Sequence, residues 1–454
     1  MSDGRPPVYT RYSFPTGSTP ASNSFPSPTY TETADQSERV IHSAPVSPVP
    51  SRVSALVTHV YHTDYLEVNL GRSLWGLQIA AYGRGGTVDG IVKFSKKCTY
   101  VSQVTVKLEG HIISKISDHP LVAVPRVVKR CILSQNVTLF TTPKSDTIAR
   151  ERVFPFSISF PDGVMDAEHI PLPPSYNSFQ PGVTTDIEYS LQVDVVRKGF
   201  HRHEMCIIPV LYLPKSRPLL PPVSVTLLDD PYIGAHERIK RIQVQPKWKC
   251  GDSTDAFPCV LPDITVRHLR GHDIHVLSDL ISAKLHVPFP TCFASGSIIP
   301  VALSIDCPSA PAISQLICPN VGLFLVRRKK LWIDGNRGIS VREQLVNSAT
   351  TFRMMETGEG ARYLMFDLTA GEPGTEHSFK VDESIEVQHF IRVIVRPPSH
   401  VKQLPVWQHD EVVELTTDQH GTLERELLAM DGIPTPALGI AAPGVRRVVT
   451  VSGI

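Results

Sequence analysis

Residues 186–195 read DIEYSLQVDV, an unbroken alternation of polar and apolar side chains. In an extended chain the apolar members share one side and the acidic, hydroxyl and amide members share the other. The apolar members are Ile187, Tyr189, Leu191, Val193 and Val195. A period of two is typical of an antiparallel strand with one face against a core and the other in water. The stretch therefore predicts a half-buried β-strand.

The same alternation recurs upstream and downstream of this stretch. Residues 103–109, QVTVKLE, place Val104, Val106 and Leu108 on one side, and Gly110 then predicts a strand end or a bulge. Further strands are predicted at 87–94 and 205–212.

Prolines interrupt this pattern near 215–222, KSRPLLPP, and strand-like runs resume around Ile242. We therefore predict two β regions, 53–220 and 241–415, joined by a linker at roughly 214–240.

A second strand of this type closes the later region. Residues 384–395, SIEVQHFIRVIV, precede Arg396 as the first strand precedes Arg197. Aligning Ile187 with Ile385 places Tyr189 on Val387, Val193 on Ile391 and Val195 on Val393. Each strand comes late in a block of similar length, which is typical of a duplicated sandwich.

Composition narrows the class of protein. The 454 residues carry 45 basic and 44 acidic side chains, so no overall field favours nucleic acid. The 40 prolines disfavour an all-helical fold. The eight cysteines are scattered singly, which predicts reduced thiols and no structural zinc. Because no apolar run approaches about 18 residues and the N-terminus is polar, we expect a cytoplasmic protein with peripheral membrane association only.

The two ends of the chain differ from the β regions. Residues 1–51 are rich in Ser, Thr and Pro, which predicts a disordered tail. Residues 416–454 form a short tail with one helix candidate, GTLERELLAM, that we interpret as a docking or tail segment.

Three motifs carry a family resemblance. FPFSISFP at 154–161, LPPSY at 172–176 and the strand from Asp186 to Val196 occur in the order found in the second half of an arrestin N-terminal domain. Upstream, GTVDGIV at 86–92, followed by VSQVTVKLEG, is similar to an arrestin turn-and-strand pair. Downstream, 285–305 and 321–332 resemble the start of an arrestin C-terminal domain. The resemblance covers about 53–415.

The resemblance implies an all-β fold, with two immunoglobulin-like β-sandwich domains in tandem. Arrestin-like proteins are adaptors, and the α-arrestin branch uses Pro-Pro-x-Tyr motifs to recruit WW-domain, HECT-type ubiquitin ligases to membrane transporters or receptors. The expected function is therefore ubiquitin-dependent endocytosis and protein transport. A ubiquitin-independent endosomal sorting scaffold is the alternative, because the C-terminal stretch, where many α-arrestins carry these motifs, has none.

Two stretches have the WW-ligand form. Pro6, Pro7 and Tyr9 form a full Pro-Pro-x-Tyr, whose prolines preset a polyproline II ridge for an aromatic groove. Pro173, Pro174 and Tyr176 form a weaker candidate, since the family's loop already explains those prolines.

A basic run is the other candidate site. Arg327, Arg328, Lys329 and Lys330 lie between LFLV and LWI, which we interpret as a strand end or hairpin turn kept soluble by charge. Contact with phosphorylated cargo or anionic lipid headgroups is the alternative.

Four Ser-Pro or Thr-Pro pairs in the two tails bear on phosphorylation. Thr435-Pro436 and three similar pairs in the N-terminal tail are possible sites for proline-directed kinases. No catalytic constellation stands out, so we expect no enzyme activity, no cofactor and no metal.

Overall fold

A computed structural model describes most of the chain after the N-terminal tail. The described residues are 58–95, 101–116, 126–141, 153–165, 167–198, 203–223, 238–247, 259–261, 264–266, 281–333, 338–398 and 404–441. The predicted tail at 1–51 lies outside them. The described residues belong to one compact unit and are mostly β, which confirms the predicted fold class at that level. No helix in this part of the chain is long and apolar enough to cross a bilayer.

The structure describes twelve strands in what we call the first β region, residues 58–223. They are β1 (Thr58–His62), β2 (Leu66–Arg72), β3 (Ala81–Tyr82), β4 (Thr87–Phe94), β5 (Val101–Ile116), β6 (Arg126–Thr141), β7 (Val153–Ser159), β8 (Gly163–Val164), β9 (Ala167–Pro171), β10 (Tyr176–Gln180), β11 (Val183–Arg197) and β12 (Glu204–Tyr212). The strands predicted at 87–94, 103–109, 186–195 and 205–212 fall within β4, β5, β11 and β12.

Two sheets of the first region face each other across one core. One has the order β1-β2-β4-β7, and the other has the order β3-β12-β11-β5-β6 with β10 added to β11. Val68 and Val92 of the first sheet join Leu108 and Leu191 of the second in a single buried cluster. The alternation predicted for β11 is confirmed, because its five apolar side chains are at most 2% exposed.

Gly110 marks a bulge and does not end its strand. β5 continues to Ile116, and its pairing with β6 shifts register between Gly110 and His111. A Cβ on Gly110 would come within 2.6 Å of the Tyr189 ring, so the absent side chain makes room for that buried aromatic.

The second β region spans residues 238–416. Its strands are β13 (Ile239–Gln243), β14 (Pro246–Lys247), β15 (Cys259–Leu261), β16 (Ile264–Val266), β17 (Ser282–Pro288), β18 (Cys292–Ala294), β19 (Ile298–Asp306), β20 (Val321–Ile333), β21 (Gly338–Gly358), β22 (Ala361–Thr369), β23 (Phe379–Val381), β24 (Ile385–Val395) and β25 (Val406–Thr416). A helix, α1 (Pro311–Ile317), and a 3-10 turn, Cys318–Asn320, precede β20.

One long strand joins the two layers of the second region. The first half of β21 pairs with β20 and its second half pairs with β22, so the hydrogen bonding is continuous from β13 to β14. The two layers enclose a second buried cluster, in which Leu303 and Phe366 meet Leu325, Ile391 and Trp407.

The two regions have the same strand order. The sheet β1-β2-β4-β7 corresponds to β13-β17-β19-β22, and β3-β12-β11-β5-β6 corresponds to β18-β25-β24-β20-β21. In both regions a short strand pairs parallel to the last long one, β3 with β12 and β18 with β25. The repeat therefore extends from one strand to nine strands in each region, while β14, which pairs with β25, lies outside it.

Matching hydrogen bonds set the register of this repeat. The Tyr212 amide donates to the Ser175 hydroxyl at 2.9 Å, and the Leu415 amide donates to the Ser378 hydroxyl at 2.9 Å. Tyr189 pairs with the residue two before Tyr212, and His389 pairs with the residue two before Leu415. Tyr189 therefore corresponds to His389, so the alignment of Tyr189 with Val387 was wrong by two residues.

The residues after β25 return to the first region. We call 417–441 the C-terminal segment; it contains helix α2 (Leu423–Ala429), where the helix candidate was predicted, and a 3-10 turn, Leu438–Ile440. The Ala437 amide donates to the Leu213 carbonyl at 2.8 Å, and Ile440 packs beside Ala81 and Leu211. This stretch therefore docks on the edge formed by β3 and β12.

Candidate functional site between the two β regions

The junction of the two β regions brings together two residue sets that the sequence singled out separately. The Tyr176 ring meets Phe379 edge-on at 5.2 Å, and the Lys329 ammonium lies 5.3 Å from the centre of the same ring. Burial raises the pKa of Tyr176 to about 12. Burial, assisted by the neighbouring Arg327, lowers the pKa of Lys329 to about 8. Both shifts reflect a poorly solvated junction.

Pro173 and Pro174 are buried beneath this contact. The Tyr189 hydroxyl donates to the Pro173 carbonyl at 2.6 Å, and Ser175 exchanges two hydrogen bonds with Tyr212. A WW domain requires an exposed polyproline II ridge. The arrangement therefore favours the architectural interpretation of these prolines over the WW-binding one. Pro6, Pro7 and Tyr9 lie outside the described residues.

The basic run lies in the middle of a strand. β20 continues through all four residues and is bordered by β21 and β24 on its two sides, so the prediction of a strand end or hairpin turn was wrong. Arg328 and Lys330 point outward and pair with Glu343 at 2.6 Å and with Glu386 at 2.9 Å. An incoming phosphate would have to displace these carboxylates.

The inward members of the run enter a buried ionic network. Arg327 donates two bonds of 3.1 Å to Glu376, which is 7% exposed, and His389 donates to the same carboxylate at 2.9 Å. Burial opposes ionisation of Glu376, but the bonds from His389 and Arg327 outweigh it, and the net result is a lowered pKa. The carboxylate is therefore the anion that holds Arg327 at the junction.

His389, on β24, links this carboxylate through Ser378 to β25. Burial lowers the pKa of His389, so its ring is neutral at pH 7. A neutral ring fits the partners: one ring nitrogen faces Glu376, and the other lies 2.8 Å from the Ser378 hydroxyl, which accepts the Leu415 amide. We assign the proton to Nε2, so that Ser378 donates to Nδ1. In the first region, Tyr189 and Pro173 occupy the corresponding places.

An open cleft borders the junction. Arg130 bonds Asp382 at 2.6 Å and Ser384 at 3.2 Å across the two regions. The cleft has a volume of about 870 Å³ and is lined by Arg130, His169, Ile170, Pro171, Trp332, Lys380, Asp382 and Glu383. Sequence reasoning missed it, because Arg130 and Asp382 are 252 positions apart and neither belongs to a motif.

A second ionic cluster holds the C-terminal segment. Glu426 bonds Lys215 at 3.0 Å and also contacts Arg217, and Lys215 pairs with Asp418 at 3.2 Å. Burial alone would raise the pKa of Glu426, but hydrogen bonds from Thr435 and Lys215 lower it overall. Apart from the helix candidate, no pattern in the sequence indicated this clamp.

Comparison with known proteins does not assign this chain to a family. No family model matches the chain, and no curated protein matches it significantly. Within the part of the chain that the structure describes, no three His, Cys, Asp or Glu side chains are grouped to hold a metal ion.

Proposed function

We propose that this chain is an arrestin-like cytoplasmic adaptor with two immunoglobulin-like β-sandwich domains in tandem. The observation that carries the proposal is the shared strand order of the two β regions. Each region has a buried cluster, and the first cluster also takes in Leu331, Val381 and Ile385 of the second region. The ordered motifs at 154–161, 172–176 and 186–196 support the same assignment. A fold alone does not fix a function, so the partner must come from the motifs.

The proposed partner is a WW-domain, HECT-type ubiquitin ligase, which binds Pro6, Pro7 and Tyr9. The burial of Pro173 and Pro174 supports this choice, since it leaves the N-terminal motif as the better ligand. The proposed cargo is a cytosolic segment of a membrane transporter or receptor. The proposed site for it is the open cleft beside Arg130, where Lys380 and Glu383 offer charged groups to a peptide.

In this proposal the chain carries no catalytic residues and no cofactor. It acts by holding a ligase and a cargo protein together, so that the second contact becomes effectively intramolecular. Recruitment to the plasma membrane or endosomes follows from the cargo.

Surface proteomics with ubiquitin profiling tests this function and separates it from the alternative. Cells lacking the chain are compared with cells rescued by the wild type or by Tyr9→Ala. Membrane proteins that accumulate with less ubiquitin in both the deficient and Tyr9→Ala cells would support the ligase adaptor. Full rescue by Tyr9→Ala would favour the ubiquitin-independent sorting scaffold. No change in the deficient cells would contradict both.

A further inference from the structure

Thr435 is joined to helix α2 inside the docked C-terminal segment. The Thr435 amide donates to one oxygen of Glu426 at 3.1 Å, and the Thr435 hydroxyl contacts the same oxygen. The other oxygen of Glu426 receives Lys215 and Arg217, which belong to the chain just after β12. Thr435 therefore shares the Glu426 carboxylate with the two cations that tie helix α2 to the first β region.

Charges in this clamp are balanced and poorly solvated. Lys215 and Arg217 contribute two positive charges, and Asp418 and Glu426 contribute two negative ones, with side chains between 13% and 23% exposed. The two cations are already engaged with these carboxylates. An additional anion at Thr435 would therefore meet the Glu426 carboxylate without a free cation inside the clamp.

Pro436 follows Thr435 directly, which is the form that proline-directed kinases require. We propose that Thr435 is a phosphorylation site and that phosphate there holds the C-terminal segment off the first β region. A kinase transfers the γ-phosphoryl group of ATP: the Thr435 Oγ1–P bond forms, the bond from phosphorus to the ADP oxygen breaks, and the hydroxyl proton passes to solvent. This proposal is independent of WW-domain binding.

Phosphate is incompatible with the docked geometry for two reasons. The modified side chain loses the O–H that donates to Glu426 and gains about 1.5–2 negative charges at pH 7. Both changes act at an acceptor whose lowered pKa keeps it ionised. In the docked form the contacts of Thr435 with Gly83 and of Ala437 with Leu213 hold Thr435 against Glu426. Release from the first β region exposes Thr435 to water and frees it to move away from that carboxylate.

Burial determines when the kinase can act. Thr435 is half-buried and Pro436 is buried in the docked form, so a kinase requires the segment to open first. Modification then traps the open state, because a ligand or group that disfavours one state shifts the population to the other. Opening would uncover Leu213, which is 0% exposed, and the neighbouring side chains of Ala81 and Leu211.

A substitution at one glycine of the first region can release the segment while leaving the residues of the clamp unchanged. A Cβ on Gly83 would lie 2.7 Å from the Thr435 carbonyl oxygen and 2.9 Å from that of Pro434. Gly83→Ala therefore disfavours docking. Gly338→Ala is the matched control, because the nearest atom to its Cβ, on Ile333, is 3.9 Å away.

Hydrogen exchange of the full-length chain tests the effect of the phosphate. The wild type and Thr435→Val are each measured before and after treatment with a proline-directed kinase and ATP, following the peptide that contains the Thr435 and Ala437 amides. We expect at least about tenfold faster exchange in the phosphorylated wild type and no change on treating Thr435→Val. Unchanged exchange in the fully phosphorylated wild type would overturn the proposal, as would an equal acceleration in treated Thr435→Val.

Phosphorylation kinetics test the site and its access. Gly83→Ala should acquire phosphate at Thr435 at least about fivefold faster than the wild type, and Gly338→Ala should not. Equal rates in all three chains would refute the closed form as a barrier. Failure of the kinase to modify Thr435 even in Gly83→Ala would refute the site itself.

Discussion

Replacing Glu376 with Gln tests whether the buried ionic network at the junction stabilises the fold. The carboxylate accepts two bonds from Arg327 and one from His389. Glutamine keeps the shape of the side chain but removes the negative charge, so the Arg327 cation, 21% exposed, loses its counter-ion. A Gln amide also presents N–H donors toward a cation and a ring N–H, which cannot accept them.

Glu343, on the outer face of the sheet, is the matched control for the expected loss of unfolding free energy in Glu376→Gln. Breaking a buried ion pair by removing one partner costs about 3–5 kcal/mol. Arg327 keeps a 2.6 Å bond to Gln344, so we expect the lower end, about 3 kcal/mol. Glu343 is also bonded by two arginines, Arg328 and Arg392, but its side chain is 34% exposed. For Glu343→Gln we expect about 0–1 kcal/mol, the usual value for an exposed pair.

Urea unfolding followed by circular dichroism measures both free energies. The transition midpoint of Glu376→Gln should lie well below that of the wild type, and the midpoint of Glu343→Gln should lie close to it. Equal losses in the two variants, or a loss below about 1 kcal/mol for Glu376→Gln, would refute the assignment of the inner network as the stabilising one.

Three further perturbations have defined outcomes. Tyr189→Phe leaves the Pro173 carbonyl without its buried donor and should lower the free energy of unfolding by about 1–3 kcal/mol, measured by urea unfolding; an unchanged midpoint would contradict the role of that bond. Burial lowers the pKa of His286 and His377 to about 4, so the stability that their neutral forms provide is complete above pH 6.5 and is lost as the pH falls toward 4. We expect each histidine to lower the free energy of unfolding by about 2 kcal/mol at pH 5. Equal urea midpoints at pH 7.5 and pH 5 would rule this out. The pKa of Glu426 is lowered from 4.5, so the docking energy it provides is present above pH 4.5 and is lost as the pH falls through its folded pKa. Hydrogen exchange of the Ala437 amide in the wild type, corrected for intrinsic rates, should accelerate in this pH range. No acceleration would argue against the clamp.

Strands could be predicted because their signal is local. The side chains of β11 alternate between core and water, and residues 186–195 show the same two-residue alternation of apolar and polar side chains. The same argument located β4, β12 and the core face of β5. These patterns predicted two β regions and the proline content disfavoured an all-helical fold, while the all-β class as a whole was what the arrestin resemblance implied.

The sites depended on contacts that no local pattern contains. The basic run looked like an exposed turn because charged residues are seldom buried unless they are paired. The partner of Arg327 lies 49 positions away on a loop, and the partner of Arg328 lies 15 positions away on the next strand. Pairing of this kind is decided by tertiary packing, so charge alone gave the wrong interpretation.

Docking of the C-terminal segment on the first β region could not be predicted from sequence for the same reason. Its helix was predicted from amphipathic spacing, but the surface that receives it is defined by Gly83, whose missing side chain lets the segment approach. A glycine in a turn predicts local backbone freedom, and nothing in the sequence linked it to residues some 350 positions later.

Calorimetric titration of WW domains from HECT-type ligases into the full-length chain is the direct test of the proposed adaptor function. Tyr176→Ala serves as the matched control for Tyr9→Ala, because each removes the tyrosine of a Pro-Pro-x-Tyr sequence. We expect micromolar binding by the wild type and by Tyr176→Ala, with binding lost in Tyr9→Ala. Binding retained in full by Tyr9→Ala, or absent from the wild type for every WW domain tried, would contradict it.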